Sequence, residues 1–123
     1  MSLQFKESRM KNYVIGLDYG TDSVRAVLID TENGQEIASN VCHYARWKNK
    51  EYCNASINQF RQHPLDHIEG LESTIKNVVQ NSNIDPSLIR SICIDTTGSS
   101  PVPVAEDGTP LALTKGFEHN PNA

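Results

Sequence analysis

No apolar run in the chain lasts more than a few residues, which excludes a transmembrane helix. Met1 to Met10 is polar and charged, and it lacks the hydrophobic core of a secretory leader. Positive charge is in deficit. The 11 Lys and Arg face 15 Asp and Glu, for a net charge of −4. A basic face is not implied, so neither nucleic acid nor a membrane is expected as a partner. Cysteines are few and odd in number: Cys42, Cys53 and Cys93 lack metal-ligand spacing. This argues against a disulfide framework and makes the cytoplasm the expected location. Within Ser91-Ile92-Cys93-Ile94, Cys93 reads as a small buried hydrophobe. The histidines show no convergent spacing. His63 and His67 stand four apart with no third ligand in view, so capping or solvated roles are expected. No Ser-His-Asp or Cys-His arrangement can be argued, and no repeats or linkers are visible.

What is present fits one domain with a modest core in 123 residues. Met10-Lys11 directly precedes the first strand, so residues 1–12 are read as a disordered or vector-derived start and 13–123 as the ordered part. Phe117 to Ala123 is loop chemistry without a closing element, which leads us to expect a segment of something longer.

Tyr13 to Asp18 reads as a strand buried on both faces, because apolar residues dominate consecutive positions. A second strand, Ser23 to Asp30, sets Ser23, Arg25, Val27 and Ile29 on one face and Val24, Ala26 and Leu28 on the other. Tyr19 to Asp22 is short enough for a hairpin. Asn33-Gly34 predicts a second hairpin, into a third strand over Gln35 to Tyr44. Ala45 to His63 is an irregular excursion, of the kind that is functional or ordered by partners. There the bland expectation is a surface loop pinned by Trp47, Tyr52 and Phe60 on the core, and it is favoured over ligand contacts. Pro64 to about Asn81 is the clearest helix. Pro64 suits its first turn, Asp66 and Glu69 its positive end, and Leu65, Ile68, Leu71, Ile75, Val78 and Val79 form its apolar stripe. Ile89 to Asp95 reads as a fourth buried strand. Val102 to Ala105 and Leu111 to Leu113 read as a final edge hairpin, kept at the edge by Pro101 and Pro103. The fold class is therefore α/β, in the order β-β-β-α-β.

Two motifs carry chemistry. In Asp18-Tyr19-Gly20-Thr21-Asp22-Ser23-Val24-Arg25, Gly20 allows close approach of the main chain, and Thr21 and Ser23 supply donors to a phosphate chain. Magnesium wants hard oxygen ligands and keeps several waters, so Asp18 alone suffices to hold it. Arg25 could neutralise charge on the transferred group. The bland alternative is an ordinary hairpin with Asp and Gly at its turn. The second motif is Asp95-Thr96-Thr97-Gly98-Ser99-Ser100. Polar residues at the carboxyl end of a buried strand commonly line a ligand crevice, and Thr97, Gly98 and Ser99 would let a small polyol reach the backbone. Its bland alternative is a hydroxyl-rich turn. Both loops should open on the same side of one sheet.

These motifs, together with Arg46-Trp47, Tyr52-Cys53, Asn58-Gln59-Phe60-Arg61-Gln62-His63-Pro64 and Asn120-Pro121-Asn122-Ala123, resemble the FGGY carbohydrate kinases. That family lies within the actin, Hsp70 and sugar-kinase superfamily of ribonuclease H-like domains. The resemblance spans nearly all of Tyr13 to Ala123 and corresponds to the amino-terminal part of the first kinase domain. The family enzymes are several times longer. The first motif marks only the broad family. The Asn58 to Pro64 and Asp95 to Ser99 runs narrow the resemblance to enzymes that phosphorylate L-ribulose. It implies ATP-dependent phosphorylation of that sugar at its terminal hydroxyl, in arabinose catabolism, with magnesium (Mg2+) and ATP as cofactors. It places Asp18 at the metal, Gly20, Thr21, Ser23 and Arg25 at the phosphates, and the Gly98 region near the sugar. The general base and adenine pocket would come from later sequence, so residues 1–123 alone are expected to be inactive. A homodimer is left open, and an exposed sheet edge is expected to favour association. Two other readings stay open. One is an FGGY kinase of xylulose, ribitol or glycerol. The other is a non-catalytic nucleotide-binding member of the superfamily, which would show no polyol-dependent use of ATP.

Overall fold

A computed structural model of the chain describes residues 11–123. The expected irregular start therefore lies outside the described residues, except for Lys11 and Asn12. Asn12 is tied in: its carbonyl accepts from the Thr31 amide at 3.1 Å and its Oδ1 from Arg90 Nε at 2.6 Å.

Two hairpins build the first three strands. β1 (Tyr13–Tyr19) and β2 (Ser23–Asp30) pair antiparallel, with Asp18 opposite Arg25. Beyond β2, Gly34 takes φ 72°, a conformation that favours glycine, and its amide donates to the Asp30 carbonyl at 2.8 Å. The chain then returns as β3 (Glu36–His43), antiparallel to β2. The excursion that follows is more ordered than its sequence pattern implies. It contains a short helix, α1 (Ala45–Lys48), and a small ladder of β4 (Cys53–Asn54) with β5 (Gln59–Phe60). The long helix α2 (Pro64–Ser82) starts with proline in its first turn and ends at Asn83 in the left-handed region. β6 (Ile89–Thr96) then runs parallel to β1. The outcome is an α/β fold on a mixed sheet of order β3-β2-β1-β6.

The core lies between this sheet and α2. Tyr13, Ile15, Leu17 and Tyr19 of β1 join Val24, Ala26 and Leu28 of β2, with Tyr44 and Val78. Each fully buried aliphatic side chain contributes roughly 1.5–3 kcal/mol. The alternation predicted for β2 holds, and Asp30 is buried on the same face.

Four expectations are corrected. β1 is buried on one face only; on the other, Val14 and Gly16 are half-buried and Asp18 is exposed. β6 is a strand at the sheet edge, and nearly all of it is exposed, Cys93 included, because α2 lies over β2 and β3. Of the apolar stripe read for α2, Val78 is buried and Leu71, Ile75 and Val79 pack on the core, but Ile68 is exposed, and Asp66, Gly70 and Thr74 make up the rest of the buried face. Contact at its centre is too close for a large residue: a Cβ on Gly70 would lie 2.6 Å from Val24 Cγ1. Lastly, the final hairpin reduces to one bridge, Val104 with Pro110, followed by a 3-10 turn at Leu111–Leu113. Pro101, Pro103 and Pro110 remove the amide donors that a longer ladder would need.

Candidate functional site

Parallel pairing of β1 with β6 brings the two motifs together. Asp18 is in register with Asp95 and Tyr19 with Thr96, and the Thr97 amide donates to the Tyr19 carbonyl at 3.1 Å. The bend after β1 and the loop after β6 thus leave the sheet side by side.

The bend is tight. The Gly20 amide donates to the Ser23 carbonyl at 2.9 Å, and a Cβ on Gly20 would sit 3.3 Å from that oxygen. A side chain at Gly20 would press on that oxygen, so the closeness of the turn favours glycine. The Ser23 hydroxyl donates to Asp22 at 2.8 Å. The amides of Thr21 and Asp22 have no partner among the described residues. Paired free amides in a bend are an anion-binding feature.

Strand alternation divides the remaining candidates. Leu17 and Tyr19 face α2, so Asp18 projects from the opposite face, as do Arg25 and Asp95. Asp18 is exposed, and its carboxylate makes no hydrogen bond to another described residue. Two hard carboxylates at adjacent strand ends fit a magnesium ion that keeps part of its water shell. Arg25 is exposed and reaches Glu36 at 3.3 Å.

On the α2 side lies a cleft of about 810 Å³. Thr21, Thr97, Gly98 and Ser99 line it, so it joins the bend to the second motif. Nothing lies within 4 Å of a Cβ built on Gly98, which leaves that stretch of backbone open to a ligand. The facing wall is the excursion and the start of α2: Trp47, Phe60, Arg61, Gln62, His63 and His67. Gly20, Ser23, Asp18 and Arg25 are not on this wall. The pinned-loop expectation holds for Trp47, which packs against the core, while Phe60 is 50% exposed. A run rich in Trp, Phe, Arg and Gln was the signal for this wall, but the spacing did not say which side chains turn inward.

Asp66 holds the wall in place. It is buried, and it accepts from the Arg46 and Trp47 amides at 3.2 and 3.1 Å and from Arg46 Nη1 at 2.9 Å. It thereby caps α1, a role not visible in the sequence. Arg46 also grips Glu69 with both Nη atoms, at 2.8 and 3.0 Å. These bonds raise the Arg46 pKa and hold the Glu69 carboxyl below its ordinary value.

The two histidines divide their roles. His63 Nδ1 accepts from the Leu65 amide at 3.1 Å and caps α2, as expected, and its ring stacks on Tyr52 at 5.2 Å. His67 is half-buried and caps nothing. It packs between Tyr19 and Tyr44, at 5.4 and 5.1 Å between ring centres, and its Nε2 and the Tyr44 hydroxyl are buried without partners. Among the described residues no group of three metal-ligating side chains converges.

Burial lowers the His63 pKa below 6.5, aided by Arg46 and opposed by the carboxylates of Asp66, Glu51 and Glu69. Burial also lowers His67, against Asp66. Folding therefore favours neutral imidazoles. Their contribution to stability is complete above about pH 6.5 and is lost as pH falls through the lower folded values. Urea midpoints are expected to drop between pH 7.5 and 5, and a His63→Asn variant, which keeps a capping acceptor, should show a smaller drop.

This bend, loop and cleft on a mixed sheet define a domain of the sugar-kinase type. The chain belongs to the FGGY family of carbohydrate kinases, whose N-terminal domain matches residues 13–117. It is 46% identical over 116 residues to a ribulokinase of Vibrio parahaemolyticus, covering 92% of this chain and 20% of that protein. A ribulokinase of Halalkalibacterium halodurans is 40% identical over 116 residues, covering 90% and 21%. In fold, the chain matches the crystal structure of gluconate kinase from Lactobacillus acidophilus with a TM-score of 0.67. That match is 24% identical and covers 83% of this chain and 19% of the other. The chain thus spans about a fifth of the length of the curated relatives it matches. Among the described residues no helix is long and apolar enough to cross a membrane.

Proposed function

We propose that this chain is the amino-terminal part of a cytoplasmic kinase that transfers the γ-phosphoryl group of ATP to L-ribulose, giving L-ribulose 5-phosphate in L-arabinose catabolism. The fold is read as ribonuclease H-like. One observation carries the reading: the bend after β1 and the loop after β6 stand side by side, joined by the Thr97 amide and the Tyr19 carbonyl. The ribulokinase relatives support the choice of sugar.

Asp18 would hold magnesium, directly or through water, with Asp95 beside it. Bound there, the ion neutralises charge on the nucleotide phosphates. The free amides of the bend, with Gly20, Thr21, Ser23 and Arg25, would receive the phosphates. Thr97, Gly98 and Ser99 would contact the sugar, and Trp47 and Phe60 offer it apolar faces. The general base and adenine pocket are assigned to sequence beyond these residues, so residues 1–123 alone should not turn over.

The test is an ATP- and magnesium-dependent assay of the intact protein on L-ribulose, D-xylulose, ribitol and glycerol. L-ribulose is expected to give the highest kcat/KM. Preferred turnover of another polyol would replace the substrate, and ATP use independent of any polyol would overturn the kinase reading.

A further inference from the structure

Four carbonyls between Tyr19 and Ser23 are tied back, each by a different donor. Tyr19 accepts from the Thr97 amide at 3.1 Å, Asp22 from the Tyr44 amide at 2.8 Å, and Ser23 from the Gly20 amide at 2.9 Å. The fourth, Thr21, accepts from a side chain, Gln62 Nε2. With these carbonyls held, the Thr21 and Asp22 amides are left free among the described residues. Gln62 also lines the cleft, two residues before α2 begins. It thus joins the cleft wall to the bend by a hydrogen bond, beside a second link in which the Tyr19 hydroxyl donates to the His67 carbonyl at 3.2 Å.

We propose that Gln62 is a positioning residue which couples sugar binding in the cleft to nucleotide binding at the bend. The proposal rests on the kinase reading above. A sugar seated against the wall restricts the Gln62 side chain, and through the Thr21 carbonyl it fixes the peptide whose neighbouring amides receive phosphate. Coupling of this kind is reciprocal: the sugar tightens the nucleotide as much as the nucleotide tightens the sugar. Because Gln62 acts through Thr21, its loss should weaken the coupling and spare sugar affinity itself.

Two substitutions separate coupling from packing. Gln62→Glu keeps the shape but sets an acceptor against the Thr21 carbonyl. Gln62→Lys keeps an N–H donor. In the intact protein, binding of a non-hydrolysable ATP analogue is measured by calorimetry with and without L-ribulose, beside steady-state kinetics and thermal unfolding. In the unsubstituted protein the sugar should tighten the analogue about tenfold. Gln62→Glu should raise KM for ATP about tenfold and abolish the tightening, with sugar affinity within about twofold. Gln62→Lys should restore most of the coupling. The inference is overturned if the active protein shows no tightening, or if Gln62→Glu keeps it. It is also overturned if both variants lose sugar, nucleotide and thermal stability together. A protein that turns over no sugar overturns the kinase reading, and this inference with it.

Discussion

Asp18→Asn in the intact protein is expected to lower turnover with ATP by about a thousandfold or more, while sugar affinity stays within about twofold. Asp18 is exposed at the end of β1, and its carboxylate has no partner among the described residues, so the fold does not need it. The amide is nearly the same shape but carries no charge for a divalent cation. The substitution even relieves repulsion, because Asp95 lies in register beside it and like charges on paired strands repel. Thermal stability should therefore hold or rise as activity is lost. That divergence marks a residue kept for chemistry. Near-normal turnover in Asp18→Asn would remove the metal role assigned to it.

Asp66→Ala should have the largest effect on stability. It strands the Arg46 and Trp47 amides and leaves Arg46 with Glu69 alone. Each orphaned amide costs about 1–3 kcal/mol, and Arg46, partly exposed and still paired with Glu69, adds little. Asp66→Asn keeps one acceptor and should cost about half as much. Urea unfolding of the intact protein measures both. Trp47 stands on the cleft wall, so KM for the sugar should rise in Asp66→Ala even where the protein remains folded. A loss under about 1 kcal/mol would show that α1 is held by its packing, without the cap.

Much of this architecture was legible in the sequence. The meander followed from alternation in Ser23 to Asp30 and from Asn33-Gly34. The helix followed from Pro64 in its first turn and from the helical spacing of its apolar residues. Both motifs were found at strand ends because their polar residues interrupt apolar runs. What was not legible depends on partners distant in the chain. Ile68 fits a helical apolar stripe as well as Gly70 does, but only the approach of Val24 decides which of them faces the sheet. Cys93 sits in an apolar run, yet an edge strand that α2 does not cover leaves it exposed. The Asp66 cap joins residues 20 apart, and the link from Gln62 to Thr21 spans 41. Neither is a local pattern, so no window of sequence contains it.

Pairing of β1 with β6 has a consequence for how the chain acquires its shape. The meander closes through short loops, whereas Tyr19 must wait for Thr96, 77 positions later, before its side of the sheet is filled. Bringing such distant segments together is entropically slow compared with zipping a hairpin. On the ribosome, β1 to β3 would be complete well before the loop after β6 emerges. The bend after β1 is then made early and its neighbour later, so a product stalled before β6 would display an unpaired β1 edge open to aggregation.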